Sequence, residues 1–201
     1  MTRLPIAAAL AASFWIAAPL AADPDPVYLT PDLPSVTVPT RTGMAEIARN
    51  PDTDAVIEGE FARTSRACPP FCIQPMQPAP GVATIGELEL MELLADPEAV
   101  VVDSRVDDWF AQGTIPGAVH MPYTQITDRL GELGCEIDFD GWECGGAVTV
   151  ALFCNGSWCG QSPTAIRAMI AAGYPAERIR YYRGGMQAWQ MLGLTVAGGE
   201  G

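Results

Sequence analysis

Two cysteines, Cys154 and Cys159, stand five positions apart in the stretch FCNGSWCGQSP. Cys154 directly follows the strongly apolar run 147–153, and a predicted helix begins just after Cys159. A loop folded over a helix N-terminus directs backbone N–H groups and the helix dipole at a sulfur, which stabilises the nucleophilic thiolate. We therefore interpret Cys154 as a candidate nucleophile and Cys159 as a thiol that can exchange with it. The alternative is that Cys154 is a small buried residue at a strand end.

The other residues of this loop are predicted to form the substrate-binding surface. Gly156 and Gly160 permit the backbone bends of a tight cradle, and Trp158 is expected to pack over the loop as a lid. Ser162 followed by Pro163 predicts the N-cap and first position of the next helix. The predicted binding loop comprises Asn155, Gly156, Ser157, Trp158, Gly160, Gln161 and Ser162.

Short β-branched runs alternate with helical patterns on both sides of the loop. Strands are predicted at 99–102, 118–121, 147–153 and 178–182, and helices at 84–94, 107–112, 125–133, 163–172 and 186–192. The first helix is expected to open with a capping box at Thr84-Ile85-Gly86-Glu87. This alternation predicts an α/β fold, a central parallel sheet with helices on both faces. Chemistry in such sheets lies at the carboxyl ends of the strands, where Cys154 is placed.

The first 81 residues differ in kind from the rest. Residues 1–22 have one cation, Arg3, then an apolar run and small residues, which is typical of a secretory signal peptide cleaved near Ala22. Of the 18 prolines, 11 fall in residues 23–81, so this extension is expected to be extended, with one short strand at 55–61. It would wrap on the following domain or act as a spacer. Residues 82–198 are predicted to form the α/β domain.

Charge and cysteine content narrow the class of protein. A net charge of −13, with no lysine, argues against binding of nucleic acid and of anionic membranes. An exported chain with six cysteines is expected to form disulfides, and a periplasmic location is predicted. Cys135 and Cys144 are expected to form a structural disulfide across an acidic turn.

The motif CPPFC, with Cys68 and Cys72, has three interpretations. A structural disulfide is favoured, and a redox pair or docking partner of the Cys154 loop is the second. A metal site with Met76 is the third, but the chain has a single histidine, His120, so no metal or other cofactor is predicted.

Several runs around the loop carry a family resemblance. The run VVVDSRVDDWFAQGTIPGAVHMPY, then VALFCNG, AIRAMIAAGY and YRGGMQAWQMLGLTV, resemble in order the motifs of the rhodanese-like family over residues 81–196. The resemblance implies a rhodanese-like fold, and it implies that Cys154 is the cysteine that carries a persulfide. It also assigns His120 a structural role.

The loop departs from the family pattern in one respect. Single-domain sulfurtransferases of this family have an Arg five positions after the cysteine, whereas this chain has Cys159 there and a longer loop without any cation. Asp103, Arg105 and Arg183 are expected to support the site, with Arg183 as the compensating cation.

The function expected from these residues is sulfur transfer through a Cys154 persulfide, resolved by Cys159. Its partner would be a small sulfur donor or the thiol of a partner protein. The alternatives are a thiol–disulfide redox protein that uses the same two cysteines, and a non-catalytic binding module.

Overall fold

The computed structural model describes residues 26–139 and 141–198. The predicted signal peptide at 1–22 lies outside the described residues. In the part of the chain that is described, no helix is long and apolar enough to cross a membrane.

A parallel five-stranded sheet forms the centre of the domain, with the strand order β3-β9-β8-β4-β5. Its strands are β3 (Ala83–Ile85), β4 (Ala99–Asp103), β5 (Val119–His120), β8 (Thr149–Phe153) and β9 (Ile179–Tyr182). The α-helices are α1 (Glu87–Ala95), α2 (Asp107–Phe110), α3 (Gln161–Ala171) and α4 (Gly185–Met191). Three 3-10 helices lie at Gly59–Ala62, Ile126–Leu133 and Ala176–Arg178.

Both faces of the sheet are covered, because alternate residues of each strand point to opposite sides. Val150 and Leu152 of β8 pack with Ile166 of α3 in one core cluster. Ala151 and Phe153 pack in a second cluster with residues of α1 and α4. The predicted α/β class with helices on both faces is confirmed.

Three local expectations were wrong. Thr84 lies in β3 and does not cap a helix; the backbone N–H of Gly86 instead donates to Glu89 Oε2 at 3.0 Å. Helix α3 begins one residue before Ser162, so Ser162 is not its N-cap. The segment predicted as an α-helix at 125–133 is 3-10 in geometry, with a kink at Arg129.

The Pro-rich extension contains two strands that were not predicted. Strands β1 (Ser35–Thr40) and β2 (Gly43–Ala48) form an antiparallel hairpin, and the strand expected at 55–61 is absent from the described structure. Val38 and Ile47 of the hairpin are fully buried in the cluster that also contains α1 and α4. The extension therefore completes the core on that face, which agrees with wrapping and not with a free spacer.

A second hairpin, β6 (Glu136–Asp138) with β7 (Gly141–Glu143), is closed at its base by a disulfide. Cys135 and Cys144 flank the two strands, with their Cα atoms 4.2 Å apart and both side chains buried. The bridge pins the acidic turn to the core cluster around α3.

A buried ion pair lies at the carboxyl end of β4. Arg105 donates from Nη2 to Asp103 Oδ2 at 2.6 Å and from Nε to Oδ1 at 2.8 Å, and neither side chain is exposed. Thr114 Oγ1 donates to the same carboxylate at 2.7 Å, and Arg105 Nη2 also donates to the carbonyl of Gly113 at 2.6 Å. The pair ties the strand end to the segment before β5.

Replacing Asp103 by Asn should lower the free energy of unfolding by about 3–5 kcal/mol, because the Arg105 charge would remain buried without its partner. Urea denaturation of the purified variant measures this loss.

The exposed pair Arg129–Glu132, 2.7 Å apart, is the matched control. Its Glu132→Gln variant should lose no more than about 1 kcal/mol, since solvent screens an exposed pair. Equal losses in the two variants would contradict the assignment of the Asp103–Arg105 pair as the stabilising one.

Candidate active site

Cys154 and Cys159 form a disulfide in the loop between β8 and α3. Their Cα atoms are 6.1 Å apart, and the residues are only 2% and 5% exposed. The Oε1 atom of Gln161, the first residue of α3, lies 3.5 Å from the sulfur of Cys154. After reduction, the Cys154 thiol can donate its proton to this oxygen. The two sulfurs thus form a reducible pair in a shielded site at a helix start.

The start of α4 supports the loop from one side. The N–H of Met186 donates to the Cys154 carbonyl at 3.0 Å, and the N–H of Gln187 donates to the Asn155 carbonyl at 2.9 Å. Gly185 has φ +56°, and a Cβ added there would collide with the Cys154 backbone. Only glycine accepts both this conformation and this close approach. Gly185 is therefore a requirement of the loop's position.

The end of β4 supports the loop from the other side. Ser104 donates from Oγ to the carbonyl of Phe153 at 2.7 Å, and its Oγ lies 2.8 Å from Ser162 Oγ. Arg105 Nη1 donates to Asn155 Oδ1 at 3.3 Å. Arg105 therefore fixes the residue after Cys154 while its charge is neutralised by Asp103.

Trp158 is held by contacts on its edge and on its faces. Its Nε1 donates to Gln187 Oε1 at 2.7 Å, and Gln187 Nε2 donates to the Phe61 carbonyl at 2.8 Å. Phe71 meets the Trp158 ring edge-on, with centroids 5.3 Å apart, and the guanidinium of Arg66 lies 4.1 Å from its centroid. Trp158 therefore lies between Gln187 of α4 and the extension, whose Phe71 and Arg66 pack against its ring.

The extension also places a cation beside the loop. The Arg66 side chain is 4% exposed; its Nη1 donates to Glu60 Oε2 at 3.2 Å and its Nη2 to the Glu60 carbonyl, while its buried Nε has no partner among the described residues. The hydrogen bond from Arg63, followed by that from Arg66, lowers the pKa of Glu60. Arg66 thus stacks on Trp158 as a charged group with an ionised partner.

Arg183, the cation predicted to compensate for the loop, is directed at the extension. Its Nε and Nη2 donate to the carbonyl of Gln74 at 3.2 and 2.9 Å. The neighbouring Tyr182 donates to Glu87 Oε1 at 2.9 Å, and burial, together with the Glu87 charge, raises the pKa of the Tyr182 hydroxyl. Tyr182 therefore stays neutral at the end of β9.

His120 has packing and hydrogen-bond partners outside the loop. Its ring stacks on Phe110 with centroids 4.0 Å apart, and its Nε2 lies 2.9 Å from the Arg105 carbonyl. Within residues 26–139 and 141–198, no group of three or more His, Cys, Asp or Glu side chains is arranged to hold a metal ion.

The structure brings together most of the residues singled out from the sequence. Cys154, Cys159, Asn155, Ser162 and Arg105 lie in one connected site. The residues that sequence reasoning missed are Arg66, Phe71, Gln74 and Gln187. Only the CPPFC motif signalled that this part of the extension would meet the loop.

Comparisons with known proteins place this site in a family. The model of the Rhodanese-like domain matches residues 87–192. A sulfurtransferase of Allochromatium vinosum is 31% identical over 121 residues, which cover 60% of this chain and 99% of that protein. An HTH-type transcriptional regulator of Mycobacterium tuberculosis is 30% identical over 112 residues, and this chain spans only 43% of its length.

Solved structures give similar matches. A thiosulfate sulfurtransferase of Pseudomonas aeruginosa is 24% identical with a TM-score of 0.46, covering 59% of this chain and 21% of that one. A rhodanese-related protein of Thermoplasma volcanium is 21% identical with a TM-score of 0.42, covering 57% of this chain and 97% of that one. Because the family model covers more than half of the chain, the protein belongs to the rhodanese-like domain family.

Proposed function

We propose that this protein is an exported sulfurtransferase in which Cys154 accepts a sulfane sulfur and Cys159 resolves the resulting persulfide. The observation that carries the proposal is the Cys154–Cys159 disulfide at the carboxyl end of β8. A related sulfurtransferase aligned over nearly its whole length supports sulfur transfer in general. Cys159 takes the position at which the family resemblance implies a cation, so a second thiol replaces a charge in this loop.

The reaction has two steps. The Cys154 thiolate attacks the sulfane sulfur of a donor, the donor's sulfur–sulfur bond breaks, and the leaving group departs with the electron pair. The Cys159 thiolate then attacks Cys154 Sγ in the persulfide, and the terminal sulfur leaves as sulfide and takes a proton from water. The product is the Cys154–Cys159 disulfide, and a dithiol must supply two electrons before the next turnover.

The surroundings of the loop favour a weakly charged donor. No Lys or Arg lies between Cys154 and Ser162, and the Arg66 and Arg183 guanidinium groups are engaged with Glu60 and Gln74. A doubly charged donor such as thiosulfate would depend on backbone dipoles for its stabilisation. The persulfide of a small thiol carries a single charge on its reacting group and is small enough for a shielded site, and we propose this class of donor.

Export is proposed on two supports. The composition of residues 1–22 is that of a signal peptide. All six cysteines are paired in the structure, as Cys68–Cys72, Cys135–Cys144 and Cys154–Cys159, and disulfides persist in oxidising compartments such as the periplasm.

A thiol–disulfide oxidoreductase is the second candidate function. The observation that favours it is the same disulfide, because a pair already bonded can accept electrons without any sulfane donor. The two functions differ in whether sulfide is released.

The Cys159→Ser variant, pre-reduced with a phosphine that is then removed, should accumulate a persulfide on Cys154 when it is mixed with glutathione persulfide. Without Cys159 the second step cannot occur, so peptide mass spectrometry should find Cys154 heavier by about 32 Da, one sulfur atom. Cys154→Ser is the control and should show no such adduct on Cys159. An unmodified Cys154 would rule out sulfur transfer and leave the oxidoreductase and the binding module as the explanations.

The pre-reduced wild-type protein should release about one equivalent of sulfide per chain from the same donor and re-form the Cys154–Cys159 disulfide. A sulfide probe and a non-reducing peptide map measure the two products. Disulfide formation without sulfide would instead support the oxidoreductase.

A further inference from the structure

We infer that the Cys68–Cys72 disulfide is a second redox centre that receives electrons from an external dithiol and passes them to Cys154–Cys159. The inference rests on the proposed function, because it supplies the two electrons that each sulfide-releasing turnover consumes. Neither the family resemblance nor the related proteins assign a role to this extension.

The two disulfides differ in access to solvent. Cys154 and Cys159 are 2% and 5% exposed, and Phe71, Arg66 and Gln74 of the extension pack against Trp158 and Ser157 of their loop. Cys68 is exposed and Cys72 is half-buried. A protein dithiol can therefore dock on the outer pair, whereas the covering residues block its approach to the inner pair.

An aromatic contact joins the segment that contains the outer pair to the loop that contains the inner pair. Phe71 directly precedes Cys72, and Trp158 directly precedes Cys159. The two rings meet edge to face with centroids 5.3 Å apart. The ring contact therefore holds the residue before Cys72 against the residue before Cys159, at the interface between the extension and the loop.

Gln74 makes a second connection between Cys72 and the loop that contains Cys159. Its N–H donates to the Ser157 carbonyl at 2.8 Å, and its side-chain Nε2 donates to the Cys72 carbonyl at 2.7 Å. The same Nε2 lies 3.6 Å from the position that a Cβ would take on Gly160, the residue after Cys159. Gln74 thus contacts the outer pair through its side chain and the inner loop through its backbone.

Two arginines hold this arrangement in place. Arg66, 4% exposed, stacks on Trp158 at 4.1 Å and on Phe71 at 5.4 Å. Arg183 donates two hydrogen bonds to the Gln74 carbonyl. Because a buried guanidinium is expensive to desolvate, Arg66 indicates a contact that persists in the folded protein.

The chemistry is two successive thiol–disulfide exchanges, and it balances. An external dithiol reduces Cys68–Cys72 and leaves as a disulfide. The Cys72 thiolate then attacks Cys159 Sγ, which forms a Cys72–Cys159 bond and releases the Cys154 thiolate. Cys68 attacks Cys72, so the outer disulfide re-forms and Cys159 leaves as a thiol. The net transfer is two electrons and two protons, and it ends with Cys154 in its nucleophilic form.

The first experiment follows reduction of the inner pair with no sulfur donor present. Oxidised protein is mixed with reduced thioredoxin, and Cys154 and Cys159 are alkylated and counted by mass spectrometry over time. In the Cys68→Ser/Cys72→Ser variant the inner pair should be reduced at least about tenfold more slowly than in wild type, because thioredoxin then has no accessible disulfide to attack. A wild-type rate in this variant would overturn the inference.

The matched control removes the disulfide of the β6–β7 hairpin, which packs in the core cluster around α3. The Cys135→Ser/Cys144→Ser variant should keep the wild-type rate of inner-pair reduction. Slowing of both double variants alike would assign the effect to general loss of stability and would overturn the relay.

The second experiment traps the mixed disulfide and does not depend on rates. The Cys68→Ser/Cys154→Ser variant retains Cys72 and Cys159, and a non-reducing peptide map should find these two joined after air oxidation. The Cys135→Ser/Cys154→Ser variant should show no bond between Cys144 and Cys159. Absence of the Cys72–Cys159 species would overturn the inference.

The relay and the proposed function fail in different measurements. Persulfide formation is read on phosphine-reduced protein, which needs no relay, whereas relay rates are read without any sulfur donor. A Cys154 persulfide together with an unslowed Cys68→Ser/Cys72→Ser variant would remove the relay alone.

Discussion

The parallel register of three central strands is the constraint on which the site depends. Asp103 of β4, Phe153 of β8 and Tyr182 of β9 are aligned neighbours across the sheet, and each is the last residue of its strand. The chain leaving each strand must therefore enter the same small region. Three features meet there because the paired strands end side by side: the Arg105 guanidinium, the Cys154 loop and the Gly184-Gly185 turn.

Two arginines in and beside this region, Arg105 and Arg66, are each paired with a carboxylate. The Asp103 carboxylate takes up the charge of Arg105, so the hydrogen bond to Asn155 is made by a buried group that is already neutralised. The Glu60 carboxylate pairs in the same way with Arg66, which stacks on the ring of Trp158. The cations thus position the loop, and the Cys154 and Cys159 sulfurs lie in surroundings that carry little net charge. This arrangement suits exchange between sulfur atoms better than capture of a small, highly charged oxyanion.

Sequence patterns predicted strands β4, β5, β8 and β9, the four α-helices and the place of Cys154, because periodicity reports directly which residues are buried. The edge strand β3 was missed, since two of its residues were assigned to the start of the first helix. The hairpin of β1 and β2 was missed although Val36, Val38, Ala45 and Ile47 alternate with polar residues, since the many prolines around it favoured an irregular segment. The contacts between the extension and the loop had no such signal. Gln74 and Arg183 are 109 positions apart, and a single hydrogen-bonded pair leaves no repeating pattern in a chain. The CPPFC motif gave the one indication of these contacts, because one interpretation of its two cysteines was a docking partner of the Cys154 loop.

The order of the disulfides along the chain has a consequence for how the protein is made. Each cysteine pairs with the next one in sequence, at separations of 4, 9 and 5 residues, and no bridge encloses another. A chain that enters an oxidising compartment N-terminus first presents its cysteines in this same order. An oxidase that joins each newly emerged cysteine to the one before it would produce the native set of bridges, with no need for later reshuffling by an isomerase. The first bridge would be complete before any strand of the central sheet had emerged.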